Sequence, residues 1–383
     1  MGTSVEDLSV VLEHDIDEQY QYQPGEIVRG HIALKNSRMT LVRKIYITIH
    51  GEGVVAWEDP DYGSFQANEE YINVTHVVED RNQMEPLTIS SGNHKFPFEY
   101  QLPDNLPSSF IGKFGSVTYV LKASVQGERP GETSITSEPF LVLRRYTLPE
   151  ESRLPTSSKT EKRFWRLCSN GKLKVDVTIN KSGVVPGEDL YVTASVGNKS
   201  PVRVTAVQAA IVMNSMYLAK KRAIPFRQII NKRRDEYELV SGEGRKWSNV
   251  RLTIPPYIPE TKLEFCDIIE ISYNFQFRVE ISGGKEIKIE IPVLIGALPR
   301  GLELPANGHQ DNFNREWMYQ TIDGHIEQFR DIDTEHDWTG GLIPELRIAN
   351  STMVNPLFEK QLEQGGPVIH EHLLTEVIEK TKL

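Results

Sequence analysis

Cysteine and long apolar runs are scarce in this chain of 383 residues. Its two cysteines, Cys168 and Cys266, do not provide the paired framework of a disulfide-stabilised secreted domain. The sequence has no run of about 18 or more apolar residues, which excludes a membrane-spanning helix. Carboxylates near the start, including Glu6, Asp7 and Asp15, are incompatible with a secretory signal. These absences favour a cytoplasmic protein in a reducing compartment.

Signatures of catalysis are also missing. The sequence contains no Gly-x-x-x-x-Gly-Lys-Ser/Thr phosphate loop, no Gly-x-Ser-x-Gly nucleophile elbow and no His-Glu-x-x-His zinc motif. His370 and His372 form a close pair, but they lack the further ligands that a zinc ion needs. We therefore expect a protein that is not an enzyme, with no cofactor and no metal.

Acidic residues outnumber basic ones, and most of the excess lies near the C-terminal end of the sequence. The chain carries 43 Lys and Arg against 53 Asp and Glu, a net charge of −10. Residues 301–383 hold 15 of the acids and 6 of the bases, which gives −9 for this segment and −1 for residues 1–300. A nearly neutral body with an acidic tail argues against general nucleic-acid binding.

The tail, residues 301–383, is rich in polar residues and poor in apolar ones, which predicts a largely irregular segment. Residues 369–380 are an exception, because apolar residues recur there at helical spacing and predict a short amphipathic helix. Asn355, Pro356 and Phe358 form part of a stretch that resembles a short peptide signal read by endocytic adaptors. The alternative for this stretch is a turn formed by Asn-Pro.

A short motif occurs twice and marks an internal repeat. Pro24-Gly25-Glu26 and Pro186-Gly187-Glu188 each precede a strand-like run, which predicts a turn followed by a strand. Two further landmarks follow each motif at similar spacing: Pro103 and Tyr119 in the first half, Pro255 and Tyr273 in the second. Three landmarks in the same order predict a duplicated domain.

Period-two alternation dominates the first 300 residues. The clearest case is residues 269–281, where apolar side chains alternate strictly with polar ones, as in a strand with one buried face. No segment of this part shows sustained helical periodicity. The sequence therefore predicts an all-β fold of two tandem β-sandwiches, residues 1–150 and 172–300, joined by a linker over 151–171 and followed by the tail.

Basic residues are concentrated between Lys220 and Arg234, a stretch without acids that we interpret as a loop. Arg pairs bidentately with phosphate oxygens and Lys supplies point charge, so this stretch could bind phosphorylated protein tails or anionic lipid headgroups. The alternative is a solvated loop without a ligand. The candidate site consists of Lys220, Lys221, Arg222, Arg227, Lys232, Arg233 and Arg234. A second basic group spans the linker, where a solvated role is favoured: Lys159, Lys162, Arg163, Arg166, Lys172 and Lys174.

Several segments, taken in order, resemble the α-arrestins, the arrestin-domain-containing proteins. In the first half these are YQPGEIVRGHIAL, KIYITIHGEGVVAWED and FGSVTYVLKASVQG. In the second half they are KVDVTINKSGVVPGEDL, RLTIPPYIPETKLEFCDIIEISYNFQFRVEI and IEIPVLIGALP. The resemblance covers roughly residues 5–300. It implies two tandem arrestin-like β-sandwich domains joined by a short linker.

The resemblance also implies a non-enzymatic cytosolic adaptor, peripheral at the plasma membrane or endosomes. Such an adaptor binds cytosolic segments of membrane receptors or transporters and links them to endocytic, sorting or ubiquitin-ligase machinery. The alternative is a structural subunit of a sorting or coat complex, similar to the arrestin-like subunit of retromer.

One departure from the α-arrestin pattern concerns ubiquitin ligases. Typical α-arrestins carry Pro-Pro-x-Tyr motifs in the tail, which recruit WW-domain ligases, and this tail has none. The stretch Pro255-Pro256-Tyr257-Ile258 has Tyr at the third position and lies within the second domain. We therefore do not expect direct recruitment of such a ligase. The acidic tail suggests a different role, in which it folds back on the basic stretch and competes with ligand.

Overall fold

The part of the chain that the structure describes consists of β-strands joined by turns, with one 3₁₀ turn at Glu150–Arg153. The computed structural model describes residues 5–13, 21–80, 87–129, 132–166, 169–255, 258–296, 346–348 and 351–353. The strands of the first half are β1 (Val5–Leu12), β2 (Gln21–Tyr22), β3 (Ile27–Asn36), β4 (Thr40–Asp59), β5 (Gly63–Asp80), β6 (Leu87–Ile89), β7 (Gly92–Gln101), β8 (Phe110–Ile111), β9 (Gly115–Gly127) and β10 (Thr133–Val142). Those of the second half are β11 (Thr156–Arg166), β12 (Ser169–Ile179), β13 (Gly183–Val184), β14 (Asp189–Lys199), β15 (Val204–Ala219), β16 (Arg222–Leu239), β17 (Gly244–Thr253), β18 (Ile269–Ile281) and β19 (Lys285–Ile295).

Two sheets form the first sandwich. One has the strand order β1-β3-β7, and the other has the order β2-β10-β9-β4-β5, with β6 paired to β4 and β8 paired to β9. Alternate side chains of each strand point inward. In the central strands β4 and β9 the inward positions include Ile47, Ile49, Val117 and Leu121, all of which are fully buried. The apolar faces of the two sheets therefore share one core.

The second sandwich repeats the order of the main strands of the first. Its sheets have the orders β11-β12-β14-β17 and β13-β19-β18-β15-β16. In the first of these, β12, β14 and β17 correspond to β1, β3 and β7 of the first sandwich. In the other, β13, β19, β18, β15 and β16 correspond to β2, β10, β9, β4 and β5, and even the short parallel pairing of β2 with β10 recurs between β13 and β19. The predicted all-β, two-sandwich fold and its duplication are confirmed.

The segment 151–171, predicted as a linker, contains an additional strand. β11 pairs antiparallel with β12 along its whole length, from Thr156 opposite Ile179 to Arg166 opposite Ser169. It is the edge strand of its sheet, and Phe164 is its buried hydrophobic residue. An edge strand with so few apolar side chains among Ser, Thr, Lys and Glu shows no clear alternation. Its polar sequence is therefore indistinguishable from that of a linker.

The two Pro-Gly-Glu motifs build the same turn. In each, the Glu N–H donates to the carbonyl of the residue before the proline, at 3.1 Å in the first turn and 3.0 Å in the second. Gly25 and Gly187 have φ of +82° and +88°, which only glycine adopts without strain in a turn of this type. The carboxylates of Glu26 and Glu188 accept the N–H of the residue before the proline, at 2.7 and 2.9 Å. Both turns therefore follow from the motif itself.

The tyrosines that follow the motifs are equivalent as well. The Tyr119 hydroxyl donates to the carbonyl of Pro107 at 2.7 Å, and the Tyr273 hydroxyl donates to the carbonyl of Pro259 at 2.6 Å. Both rings are buried, and burial raises the pKa of both hydroxyls, which keeps them protonated as donors. Each bond ties a central strand to the loop that leads into it.

Polar contacts join the two sandwiches, which lie within one compact unit. Glu69 on β5 accepts hydrogen bonds from the backbone N–H of Asp267, at 3.1 and 3.2 Å to its two oxygens, and from the Tyr71 hydroxyl at 2.8 Å. Arg144, two residues after β10, lies 4.4 Å from the ring centroid of Phe265. The loop before β18 is thus held against the first sandwich.

Aromatic contacts connect the hairpin β15–β16 to the first sandwich. Phe114, just before β9, meets the rings of Tyr217 and Phe226 edge-on, with centroid distances of 5.6 and 6.3 Å. Arg222 lies over the ring of Tyr62, in the turn between β4 and β5, at 4.4 Å from its centroid. These contacts fix the position of the hairpin that carries the predicted basic site.

One carboxylate between the sandwiches has an unusual protonation equilibrium. Burial raises the pKa of Glu260 to about 7, against the opposing effects of a hydrogen bond from the Tyr146 N–H and of the nearby charge of Arg145. Tyr146 lies in the segment that follows the first sandwich. The folded protein therefore holds a proton on Glu260 at pH values where the unfolded chain has lost it.

Within the tail the structure describes a short hairpin, in which β20 (Leu346–Ile348) pairs antiparallel with β21 (Ser351–Met353). The helix predicted over 369–380 and the peptide signal at Asn355, Pro356 and Phe358 lie outside the described residues. In the part that is described, no helix has the length and apolar character needed to cross a membrane.

Replacing either buried tyrosine by phenylalanine removes one hydrogen bond and keeps the packing. We expect Tyr119→Phe and Tyr273→Phe each to lower the free energy of unfolding by about 1–2 kcal/mol, because a buried carbonyl loses its partner. Tyr191→Phe, which alters an exposed ring on β14, is the control, with an expected change below about 0.5 kcal/mol. Urea denaturation followed by circular dichroism measures the differences. Unchanged stability in both buried variants would contradict the role assigned to these bonds.

The raised pKa of Glu260 makes its contribution to stability fall as pH rises. Between the ordinary carboxyl pKa of 4.5 and about 7, the folded state keeps a proton that the unfolded state releases, so the free energy of unfolding decreases across this window. We expect Glu260→Gln, which retains an oxygen acceptor for Tyr146, to be more stable than the parent at about pH 8. Near pH 5 this advantage should disappear.

Denaturation midpoints at the two pH values measure this effect. Glu58→Gln, which neutralises an exposed carboxylate of β4, is the matched control and should follow the parent at both. A stability difference between Glu260→Gln and the parent that does not vary with pH would refute the assignment.

Candidate functional site

The basic stretch predicted as a loop is a β-hairpin. Lys220 and Lys221 form the two-residue turn between β15 and β16, with φ of 49° and 65°. From Arg222 onward the chain is strand β16, which pairs antiparallel with β15 along its length. Phe226 and Ile230 on this strand are buried. The interpretation of residues 220–234 as a loop is therefore wrong beyond the turn, because pairing with the apolar strand β15 holds a polar sequence in extended form.

The hairpin spreads the seven candidate residues along its length. Arg222 and Arg234 are twelve positions apart on β16, about 40 Å at roughly 3.3 Å per residue. The structure brings together Lys220, Lys221 and Arg222 at the tip, places Arg227 further along, and groups Lys232, Arg233 and Arg234 toward the other end. One phosphate group can contact the tip or the far end, but it cannot contact both.

Three of the four arginines have acidic partners. Arg227 pairs with Glu290 of β19 at 2.9 Å, and Arg234 pairs with Glu280 of β18 at 2.8 Å. Arg233 lies 3.9 Å from a carboxylate oxygen of Asp235. Neither Lys220 nor Lys221 takes part in an ion pair within the described residues. The uncompensated charge of the candidate site is therefore concentrated at the hairpin tip.

A shallow open groove lies beside Arg227 on the solvent-facing side of the five-stranded sheet. Its volume is about 320 Å³. The Arg227–Glu290 ion pair forms part of its wall, and the other lining residues combine amide and hydroxyl groups with apolar surface: Asn214, Ser215, Met216, Pro225, Phe226, Glu270, Ser272 and Asn274. Side-chain amides and hydroxyls both donate and accept hydrogen bonds, so the groove can match the polar groups of an extended peptide.

β16 is also the edge strand of this sheet. Within the described residues it pairs with β15 on one side and with no strand on the other, so alternate backbone N–H and C=O groups face outward. Pro225 and the charged side chains of β16 oppose indiscriminate pairing with other strands. A partner segment with suitable side chains can still add to such an edge through main-chain hydrogen bonds.

Of the residues that line the groove, sequence reasoning selected Arg227 and missed the others. The alternation that predicts β18 places Ser272 and Asn274 on its solvent face but does not distinguish them from the other polar residues of that face. Residue type offered one signal for this site. Asn is depleted in strands, yet Asn214 and Asn274 both lie well inside long strands. Their meeting with Arg227 and Glu290 depends on the order of strands in the sheet, which local patterns do not encode.

The described residues contain no group of three or more His, Cys, Asp or Glu that could hold a metal ion. Cys266 is a free thiol whose pKa is raised by burial, and a raised pKa disfavours the nucleophilic thiolate. Cys168 and the His370–His372 pair lie outside the described residues, as do Pro256 and Tyr257.

Two family models match the chain in order. The model for "Arrestin (or S-antigen), N-terminal domain" matches residues 12–149, and the model for "Arrestin (or S-antigen), C-terminal domain" matches residues 169–300. Each match falls on one of the two sandwiches.

Curated relatives are similar over most of the chain. Identity is 26% over 343 residues with arrestin domain-containing protein 4 of Homo sapiens, which covers 84% of this chain and 81% of that protein. It is 28% over 315 residues with arrestin domain-containing protein 17 of Caenorhabditis elegans, covering 76% and 70%. With arrestin domain-containing protein 1 of Rattus norvegicus it is 26% over 282 residues, covering 72% and 61%. These matches, together with the duplicated sandwich, show that the chain belongs to the arrestin family, in its α-arrestin branch.

Proposed function

We propose that this protein is a non-enzymatic adaptor that binds cytosolic segments of membrane receptors or transporters. It would link them to endocytosis, trafficking or ubiquitination from the cytoplasm, at the plasma membrane or endosomes. The observation that carries the proposal is the pair of arrestin domains in tandem, because the family is one of adaptors. Two features of the second sandwich support it, an open groove and a strand edge that is unpaired within the described residues.

The groove and the edge of β16 together suit an extended peptide. Main-chain hydrogen bonds along the edge would supply affinity, and the side chains of the groove would supply selectivity. Cytosolic segments of membrane proteins are commonly extended before binding, so they can adopt the strand conformation that this surface requires.

The hairpin tip adds a preference for anionic groups. Lys220 and Lys221 lie at the turn, exposed to solvent and free of ion pairs within the described strands and turns. Lys ammonium groups attract phosphate as point charges. A phosphorylated residue next to the extended peptide would therefore increase its affinity.

Reversing the charge of the tip tests this preference. Lys220→Glu with Lys221→Glu is expected to weaken binding of a doubly phosphorylated peptide from a cargo tail by about tenfold at low salt, since exposed ion pairs contribute up to about 1 kcal/mol each. Binding of the unphosphorylated peptide should change little. The control is Arg38→Glu with Lys95→Glu, which reverses two exposed charges of the first sandwich. Isothermal titration calorimetry measures the affinities, and equal losses in the two variants would refute a phosphate role for the tip.

Proximity labelling in the cell of origin tests the adaptor function itself. The full chain is compared with a chain truncated after Pro305. An adaptor should label receptors or transporters together with endocytic proteins, and the pattern should change when the acidic tail is removed. A constant set of sorting-complex subunits, unaffected by truncation, would instead assign the chain to a coat or sorting complex and contradict the proposal.

A further inference from the structure

The sheet β11-β12-β14-β17 of the second sandwich also exposes one face to solvent. Cations outnumber carboxylates on this face. Strand register places Arg163 opposite Lys172, and Lys172 opposite Lys199 on the next strand. Three cations therefore form one row across three strands that are about 4.8 Å apart. Like charges at directly opposed positions destabilise a sheet. The cationic row thus lowers stability unless an anion neutralises it.

Carboxylates of the same face do not balance the cationic row. Lys172 pairs with Glu161 at 2.7 Å, but neither Arg163 nor Lys199 has an ion pair among the described residues. Four more cations lie on outward positions of this sheet: Lys159, Lys174, Lys246 and Arg251. The remaining outward carboxylates of its described strands are Asp176 and Asp189. Seven cations against three carboxylates leave an excess of four positive charges.

The five-stranded sheet of the same sandwich shows that this excess is not general. On its outward face, Arg227 of β16 lies 2.9 Å from Glu290 of β19, and Arg234 of β16 lies 2.8 Å from Glu280 of β18. There the strand order places cations near carboxylates. In the cationic row, by contrast, each cation lies opposite another cation.

An exposed indole lies at the end of the cationic row. The side chain of Trp165 is 75% exposed, the highest value among the large hydrophobic residues that the structure describes. It follows Arg163 by two positions on β11 and therefore shares its face. Tryptophan is enriched at membrane–water interfaces, where the ring contacts lipid while the N–H remains hydrated.

We infer that this face docks onto an anionic membrane surface, with the cationic row among the headgroups and Trp165 at the interface. A broad sheet face spreads its charges over several strands, which matches an array of lipid headgroups better than a single peptide. Docking in this way would give the proposed adaptor a route to membranes. It concerns the chain alone and needs no cargo, so it can fail while the adaptor function stands.

Vesicle binding by the purified full chain tests the inference. Vesicles of phosphatidylcholine alone and of phosphatidylcholine mixed with phosphatidylserine are sedimented, and the bound fraction is measured. We expect binding to the anionic vesicles only, weakening as salt is added. The variant Arg163→Gln/Lys172→Gln/Lys199→Gln should bind about a hundredfold more weakly, because each cation near an anionic surface contributes roughly fivefold. The emission of Trp165 should shift to shorter wavelength on binding, and Trp165→Phe should lose that shift.

Two matched variants serve as controls. Arg38→Gln/Arg43→Gln/Lys95→Gln removes the same charge from exposed positions of the first sandwich and should bind like the parent. Lys220→Glu/Lys221→Glu should also bind vesicles normally, which separates this face from the hairpin tip. The inference is overturned if the row variant binds as well as the parent, or if the first-sandwich control loses as much. Row-dependent binding of a phosphorylated peptide without binding of vesicles would assign the face to a protein partner instead.

Discussion

Each large sheet of this protein buries one face and leaves the other in water. Both the hydrophobic core and the exposed surfaces of the protein depend on this division. Inward positions hold Ile, Val, Leu and aromatic residues, because the two sheets of a sandwich must exclude water from the space between them. Outward positions are free of this requirement. In the second sandwich they carry a polar groove on one sheet and a cationic row on the other. Packing of the inward side chains therefore determines the fold, and the outward side chains determine what the fold can bind.

The two outward faces of the second sandwich differ in how their charges are arranged. Across the five-stranded sheet, Arg227 and Arg234 of β16 pair with carboxylates of β19 and β18, and the groove combines the first of these pairs with amide and hydroxyl groups. Across β11-β12-β14-β17 the cations oppose one another. The first arrangement suits hydrogen bonding to an extended segment, and the second suits an anionic surface.

The first sandwich also supports the strands that form the groove. The hairpin β15–β16 contacts it through Phe114 and through the stacking of Arg222 on Tyr62. The loop before β18 is held by Glu69 and by the connecting segment at Tyr146. Because the groove lies between β16, β15 and β18, both contacts constrain the strands that form it. The groove is thus supported by both domains although it is lined by one.

Local patterns by themselves determined the strands with one buried face, the duplication and the two turns. Residues 269–281 alternate because neighbouring side chains of a strand point to opposite faces, and Pro-Gly-Glu forms a turn through φ preferences within the motif. Tertiary structure alone decided that the polar segment 156–166 is a strand, that residues 220–234 form a hairpin, and which charges meet. Arg227 finds Glu290 across 63 positions, whereas Arg163 faces Lys172 and Lys199. The physical reason is that sheet order and register bring together residues distant in sequence, and no local periodicity specifies those neighbours.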